Sequence, residues 1–231
     1  MEGIFLHTVI FANGQAQAIH TAWRLCQPAD WIIAADGGWH HLQALHLQPD
    51  VLIGDFDSIS PTELQSIQTL GIKTIQHPRH KDETDLELAL RYAIQNGSSS
   101  ITIVGGLGAR WDQTLANMLL LTQKEFQEIP ISLVDGNQVL FTISASIRSH
   151  VQIEGQPGDT VSLLPLMGDV HGITTSGLEY PLHNETLIFG STRGVSNTLL
   201  RSSAKVSIRS GILMIVVIHH SETLPQEVQN E

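Results

Sequence analysis

Short apolar runs of β-strand character alternate with helical patterns through the first part of the chain, and near Thr142 the alternation stops. The runs are Phe5–Phe11, Trp31–Ala35, Val51–Ile53, Ile72–Ile75, Ile101–Val104 and Ile131–Val134. Leu86, Leu90, Ala93 and Ile94 fall close to helical spacing over Thr84–Gln95, and Gly97 supplies the stop. Leu115, Met118, Leu119 and Leu121 mark a helix from Asp112 to about Gln127, ended by Pro130. Further helices are expected over Gln15–Gln27 and from near Pro61. Such alternation predicts a mainly parallel sheet with helices on both faces. After Thr142 helical periodicity disappears. Ile147–Ile153, Thr160–Leu164, Leu187–Phe189, Lys205–Ile208 and Ile212–Ile218 read as strands, and the last two read as a β-hairpin around Ser210-Gly211. Their spacing predicts a small sandwich or barrel. The expected division is therefore an α/β domain over 1–142 and an all-β domain over 143–231, with a frayed polar tail at Ser221–Glu231.

Composition narrows the function. A formal net charge of -11 argues against a nucleic-acid partner, which needs a basic patch, and against a polybasic membrane anchor. The longest apolar run, Ile212–Ile218, is too short to span a membrane, and the amino terminus lacks the basic region of a signal peptide. Cys26 is the only cysteine, so no intrachain disulfide forms and a reducing, cytoplasmic setting is expected. It reads as a small buried apolar residue rather than a nucleophile. The adjacent pairs His40-His41 and His219-His220 read as surface or partly buried residues rather than metal ligands.

The chemistry-bearing residues cluster at or just beyond expected strand ends, where open α/β sheets bind ligands. They are Asp36 in Ala35-Asp36-Gly37-Gly38, Asp55 and Asp57 in Gly54-Asp55-Phe56-Asp57-Ser58, and Asp82 and Asp85 in Lys81-Asp82-Glu83-Thr84-Asp85. Carboxylates gathered at one edge repel unless a cation joins them. Hard oxygen donors suit Mg²⁺ or Ca²⁺, and Mg²⁺ is the usual partner of substrate phosphates. Two apart in an extended segment, Asp55 and Asp57 would point the same way with Phe56 facing the core; they serve equally as caps for the helix near Pro61. Thr84 or Asp82 can cap the next helix, and Asp85 in its first turn suits the helix dipole. The functional reading gives Asp85 to a metal and Lys81 to phosphate oxygens. Gly105-Gly106-Leu107-Gly108-Ala109-Arg110-Trp111-Asp112-Gln113 is a glycine-rich turn into a helix, favourable for anions but not a P-loop. Within it Arg110 and Asp112 suggest substrate contact, and Asp112 is also a candidate N-cap.

Taken together, these motifs resemble the thiamine pyrophosphokinase family. The match runs through Ala35–Gly38, Pro49–Ser58, Lys81–Asp85 and Gly105–Gln113, and Gly194-Val195-Ser196-Asn197 resembles the family's Ser-Asn thiamine-contact segment. The resemblance implies a Rossmann-like first domain for ATP and Mg²⁺ and a sandwich- or barrel-like second domain for thiamine. It implies transfer of an intact pyrophosphoryl group from ATP, the co-substrate, to the thiamine hydroxyl, giving thiamine diphosphate and AMP. It also implies a homodimer with active sites between the α/β domain of one subunit and the β domain of the other. By position, Asp55, Asp57 and Asp85 are the expected Mg²⁺ ligands, with Asp36 as a supporting carboxylate. Lys81 and Thr84 fall on the phosphate side. Arg110, Asp112 and Gln113 fall at nucleotide and thiamine contacts, and Ser196 and Asn197 at the thiamine pyrimidine. Asp36 and Asp112 are the candidate general bases. Two departures stand out: Ala109 and Trp111 replace a glycine and a phenylalanine, and Arg193 lies close to a site for a cationic substrate. The alternatives are a non-catalytic thiamine or nucleotide sensor on the same fold, and a metal-dependent phosphatase. The phosphatase would place its aspartate after the first strand rather than the third.

Overall fold

The structure, a computed structural model, describes residues 6–15, 18–26, 28–108 and 110–220. Phe5, Ala109 and the tail from Ser221 lie outside the described residues. The chain forms two compact units, Met1–Gly136 and Asn137–Glu231.

In the first unit, β1 (His7–Phe11), β2 (Trp31–Ala35), β3 (Val51–Gly54), β4 (Lys73–Gln76), β5 (Ser100–Val104) and β6 (Ile131–Asp135) pair only in parallel, in the order β4-β3-β2-β1-β5-β6. Val9, Ile10, Phe11, Ile33, Leu52 and Ile53 are fully buried, as expected of strands in the middle of a parallel sheet. At the edge, β4 carries exposed Lys73 and Gln76, which discourage further pairing. From β1 the chain winds outward to β4 and then returns to the other side of β1 as β5. The carboxyl ends of β1 and β5 thus form a topological switch point, the crevice where such sheets take ligands.

The helices are α1 (Ile19–Leu25), α2 (Gly38–Ala44), α3 (Pro61–Thr69), α4 (Asp85–Gln95), α5 (Trp111–Leu120) and α6 (Lys124–Gln127). A capping box starts α3: Ser60 Oγ accepts from Glu63 N, Glu63 Oε2 accepts from Ser60 N, and Pro61 follows. Thr84, not Asp82, caps α4 by accepting from Glu87 N. The helix expected from Asp112 to Gln127 is two helices. Thr122 Oγ1 donates to Leu119 O at 2.7 Å, a local bond that competes with continuing the helix. The expected start of α1 at Gln15 moves to Ile19, behind Ala18 at φ 48° with no side-chain cap. Unforeseen in the sequence, α2 starts at Gly38 behind an N-cap Gly37 and buries Trp39 and Leu42.

The second unit is antiparallel throughout its strand pairs: β7 (Gln138–Ser144), β8 (His150–Glu154), β9 (Thr160–Ser176), β10 (His183–Leu187), β11 (Asn197–Thr198), β12 (Ser203–Ser207) and β13 (Ser210–Ile218). The units divide ahead of Thr142 because β7 pairs with β13 along its whole length. The expected hairpin of the last two strands does not form. Instead β9 lies between them, pairing β13 along its first half and β12 along its second. Pro165 and Met167-Gly168-Asp169 hide the continuity of this 17-residue strand in the sequence. Leu163, Val170, Ile173, Val206, Leu213 and Ile215 are among its core residues.

Asp159, 2% exposed, ties the end of the unit together. It accepts from Gln156 N at 2.9 Å, His220 N at 3.0 Å and His219 Nδ1 at 2.8 Å. Burial alone would raise its pKa; the two amides and the His219 ring outweigh that and hold it below the usual carboxylate range. A carboxylate depressed in the fold adds stability above its unfolded pKa, and that stability is lost as pH falls through the folded value. Asp159→Asn should therefore cost about 1–3 kcal/mol at pH 7 by urea unfolding. The difference should narrow as pH falls below about 4.

Candidate functional site

Three turns at the carboxyl ends of adjacent strands bring carboxylates together. Leaving β2, Asp36 adopts the left-handed region at φ 44° and donates its N–H to Ile53 O at 2.8 Å. The neighbouring chain passes so close that a Cβ at Gly54, itself at φ 155°, would lie 3.0 Å from the Asp36 Cβ. Asp36 is 4% exposed, and its Oδ1 has no hydrogen-bond partner among the described residues. Beyond β3, Phe56 turns into the core, 8% exposed, but at φ 63° rather than in extended conformation. Asp55 and Asp57 meet because the chain turns: Asp57 N donates to Asp55 Oδ1 at 3.0 Å. This corrects the expectation of an extended pair. One oxygen each from Asp36, Asp55 and Asp57 lies within 4.8 Å of the others.

Asp85 stands beside this trio rather than within it. Lys81 Nζ lies 2.9 Å from Asp85 Oδ1, an ion pair not aligned as a hydrogen bond, and 3.8 Å from Asp55 Oδ2. Burial pushes the Asp85 pKa up; Lys81 opposes this, and the charges of Asp36 and Asp55 add to the rise. The loop before α4 is braced from outside, since Arg91 contacts Glu83 at 3.0 Å, Glu87 at 2.8 Å and Glu125 at 3.1 Å.

These groups line an open cleft of about 390 Å³ within the first unit, along with Thr84, Arg110 and Gln113. Asp112 is not among the lining residues. It is exposed and holds Arg110 through two bonds, Nη2 to Oδ2 at 2.6 Å and Nε to Oδ1 at 3.2 Å. That hydrogen-bonded pairing lowers the Asp112 pKa and raises that of Arg110. The glycine turn at Gly105, Gly106 and Gly108 forms another wall.

Ser196 and Asn197 belong to the second unit. Ser196 sits at φ 63° with its N–H donated to Ser162 Oγ. The Asn197 amide is engaged locally, accepting from Tyr180 N and Thr198 N and donating to Tyr180 O. Arg193 is paired with Glu185, so its charge is balanced. The histidine pairs are structural in their contacts: His40 with Glu63, His41 with Gly14 O, His219 with Asp159 and His220 with Thr160. Burial pushes the Cys26 thiol up to about 12, in keeping with an apolar role.

Two lining residues, Asn13 and Asn117, have no role in the sequence reading. The signals were present. Asn13 lies two residues past β1, at the switch point, and Asn117 follows Gln113 by one helical turn, with its Nδ2 donating to Gly106 O at 2.6 Å.

The donor set is all carboxylate, one oxygen is buried and unpartnered, and a lysine stands alongside; these residues fit a hard divalent cation next to an anionic ligand. Fold and cleft define the class: a parallel α/β unit with an acidic ligand site beside its switch point, joined to an antiparallel β unit. The family description "Thiamin pyrophosphokinase, catalytic domain" matches residues 22–133, and "Thiamin pyrophosphokinase, vitamin B1 binding domain" matches residues 148–213. The thiamine pyrophosphokinase of Bacillus subtilis is 31% identical over 207 residues, covering 85% of this chain and 87% of that one. Its crystal structure aligns with a TM-score of 0.81 at 29% identity, covering 93% of this chain and all of that one. The Geobacillus thermodenitrificans structure aligns at 0.80 with 27% identity, covering 95% of this chain. The chain belongs to the thiamine pyrophosphokinase family.

Because Gly54 has a positive φ and a Cβ there would press on Asp36 at 3.0 Å, Gly54→Ala should displace Asp36 by a few tenths of an ångström or more. The expected loss is about 1–3 kcal/mol in urea unfolding, with weaker Mn²⁺ binding by electron paramagnetic resonance.

Proposed function

We propose that the protein is a thiamine pyrophosphokinase, transferring the pyrophosphoryl group of ATP to the thiamine hydroxyl to give thiamine diphosphate and AMP. The observation that carries this reading is the acidic trio beside Lys81, at the carboxyl ends of β2 and β3, in a chain that belongs to this family. In this reading the first unit is the Rossmann-like domain for ATP and Mg²⁺, and the second a sandwich- or barrel-like domain for thiamine.

Asp36, Asp55 and Asp57 would hold Mg²⁺, with Asp85 as the fourth carboxylate of the site. When bound, the ion neutralises phosphate charge and polarises the phosphoryl oxygens. Lys81, restrained between Asp85 and Asp55, offers a fixed point charge to the polyphosphate. Thr84 and the amides of the glycine turn contact phosphate oxygens from the two sides of the cleft. Arg110 and Gln113 face the nucleotide. Asp112, its pKa lowered by Arg110, is a weak base. Where the transition state is loose, alignment and charge stabilisation carry most of the rate and no strong base is needed. Ser196 presents its hydroxyl to the thiamine pyrimidine, while Asn197 fixes the turn that carries it. The acidic balance of the chain suits a cationic thiazolium.

A homodimer with active sites at the subunit interface belongs to the same reading. Trp111, Leu115 and Leu119, exposed by 82%, 57% and 48%, form an apolar stripe at four-residue spacing along α5, which supports it. The single cysteine, buried as a thiol, supports a cytoplasmic setting.

Chromatography after incubation with thiamine, ATP and Mg²⁺ should show thiamine diphosphate and AMP in equal amounts. Asp55→Ala should lower the rate by several orders of magnitude with the fold retained, and Ser196→Ala should raise the thiamine concentration for half-maximal rate. ADP with thiamine monophosphate would instead mean a single-phosphoryl kinase, and bound thiamine with no product a sensor. Leu115→Glu should shift sedimentation from a dimer to the 25.3 kDa monomer; a variant that still sediments as the wild type removes α5 from the interface.

A further inference from the structure

Asn13 has no role in the reading above, yet it lines the cleft where β1 ends. Its backbone is pinned on both sides: Ala12 N donates to Val104 O at 2.8 Å, and Gly14 N donates to Gly105 O at 2.7 Å. Its side chain reaches two other turns. Nδ2 donates to Ser58 Oγ at 3.0 Å, and Ser58 Oγ in turn donates to Asp57 Oδ1 at 3.3 Å. On the other side a Cβ at Gly37 would collide with the Asn13 amide, so that amide packs directly on the backbone next to Asp36. One side chain therefore touches the Asp36-Gly37 turn directly and Asp57 through a single hydroxyl.

We infer that Asn13 is a positioning residue for the acidic trio: by fixing the Ser58 hydroxyl it keeps Asp57 turned towards Asp36 and Asp55. The inference rests on the metal reading of the trio. A serine hydroxyl has one proton to give. With Asn13 donating into the Ser58 oxygen, that proton is directed to Asp57. Without it, an exposed carboxylate rotates among staggered rotamers, and repulsion from two neighbouring carboxylates drives it outward. Arg79, at 4.0 Å and itself 68% exposed, is too loosely held to do the same. Groups that orient metal-ligating carboxylates are typically worth 10- to 100-fold in metal affinity, and a relay through one exposed hydroxyl falls at about 10-fold.

The test is Mn²⁺ binding to the full chain, without nucleotide or thiamine, read from the free-ion paramagnetic resonance signal. Asn13→Ala and Ser58→Ala should each weaken binding by about 10-fold. The double variant should be no weaker than the weaker single one, because the two residues act in series. Losses that multiply, or wild-type affinity in Asn13→Ala, overturn the inference; in both cases weakened binding by Asp57→Asn leaves the metal reading standing. A wild-type chain that binds no Mn²⁺, or binding indifferent to Asp57→Asn, overturns both. Matching urea midpoints for Asn13→Ala and wild type establish that the variant is folded. Should they differ, Ser58→Ala alone decides the relay.

Discussion

The close passage of the chain leaving β2 beside the chain leaving β3 governs the geometry of the cleft. The Asp36 amide bonded to Ile53 O locks the two exits together, and the missing side chain at Gly54 lets them approach. Asp36 is thereby forced into a left-handed backbone conformation and into burial. Strain of this kind persists only where the surroundings over-determine it, here a fully buried β3 and a core-facing Phe56. An apolar sheet thus holds like charges where they would not gather by themselves.

Charge balance around the cleft follows from that placement. The three carboxylates of the trio grade from buried Asp36 to exposed Asp57, and Lys81 offsets only part of their charge because Asp85 claims its nearest contact. The cations in reach are arranged unevenly. Lys81 is nearly enclosed, whereas Arg79 and Arg110 are exposed and paired at their tips, free to exchange a carboxylate for a phosphate. In the proposed function, a divalent ion and a polyphosphate would bring complementary charges to such a site, each favouring the arrival of the other.

Much of this was legible in the sequence, for physical reasons. Fully buried parallel strands read as unbroken apolar runs, so β2 was found to the residue and β1, β3, β5 and β6 within one or two. Aspartates after such runs pointed to the strand ends. What escaped depends on tertiary contact. The helix α2 has no clear signal because it opens on glycine and the burial of Trp39 and Leu42 that holds it depends on packing. The Asp55–Asp57 turn reads as extended in sequence because the φ of Phe56 is set by its burial. The hairpin expected of β12 and β13 failed because β9, interrupted in sequence by proline and glycine, stays continuous in space. Asn13 was overlooked because its partner, Ser58, is 45 residues away.

The central position of β13 has a consequence for the order of assembly. β13 pairs with β7 on one side and β9 on the other, so the second unit lacks its middle strand until the chain has been made as far as Ile218. All six parallel strands of the first unit are complete once β6 has been made. On the ribosome the cleft-bearing unit can settle while β7 still waits for the strand that joins it to β9, so synthesis itself separates two slow, long-range folding steps in time.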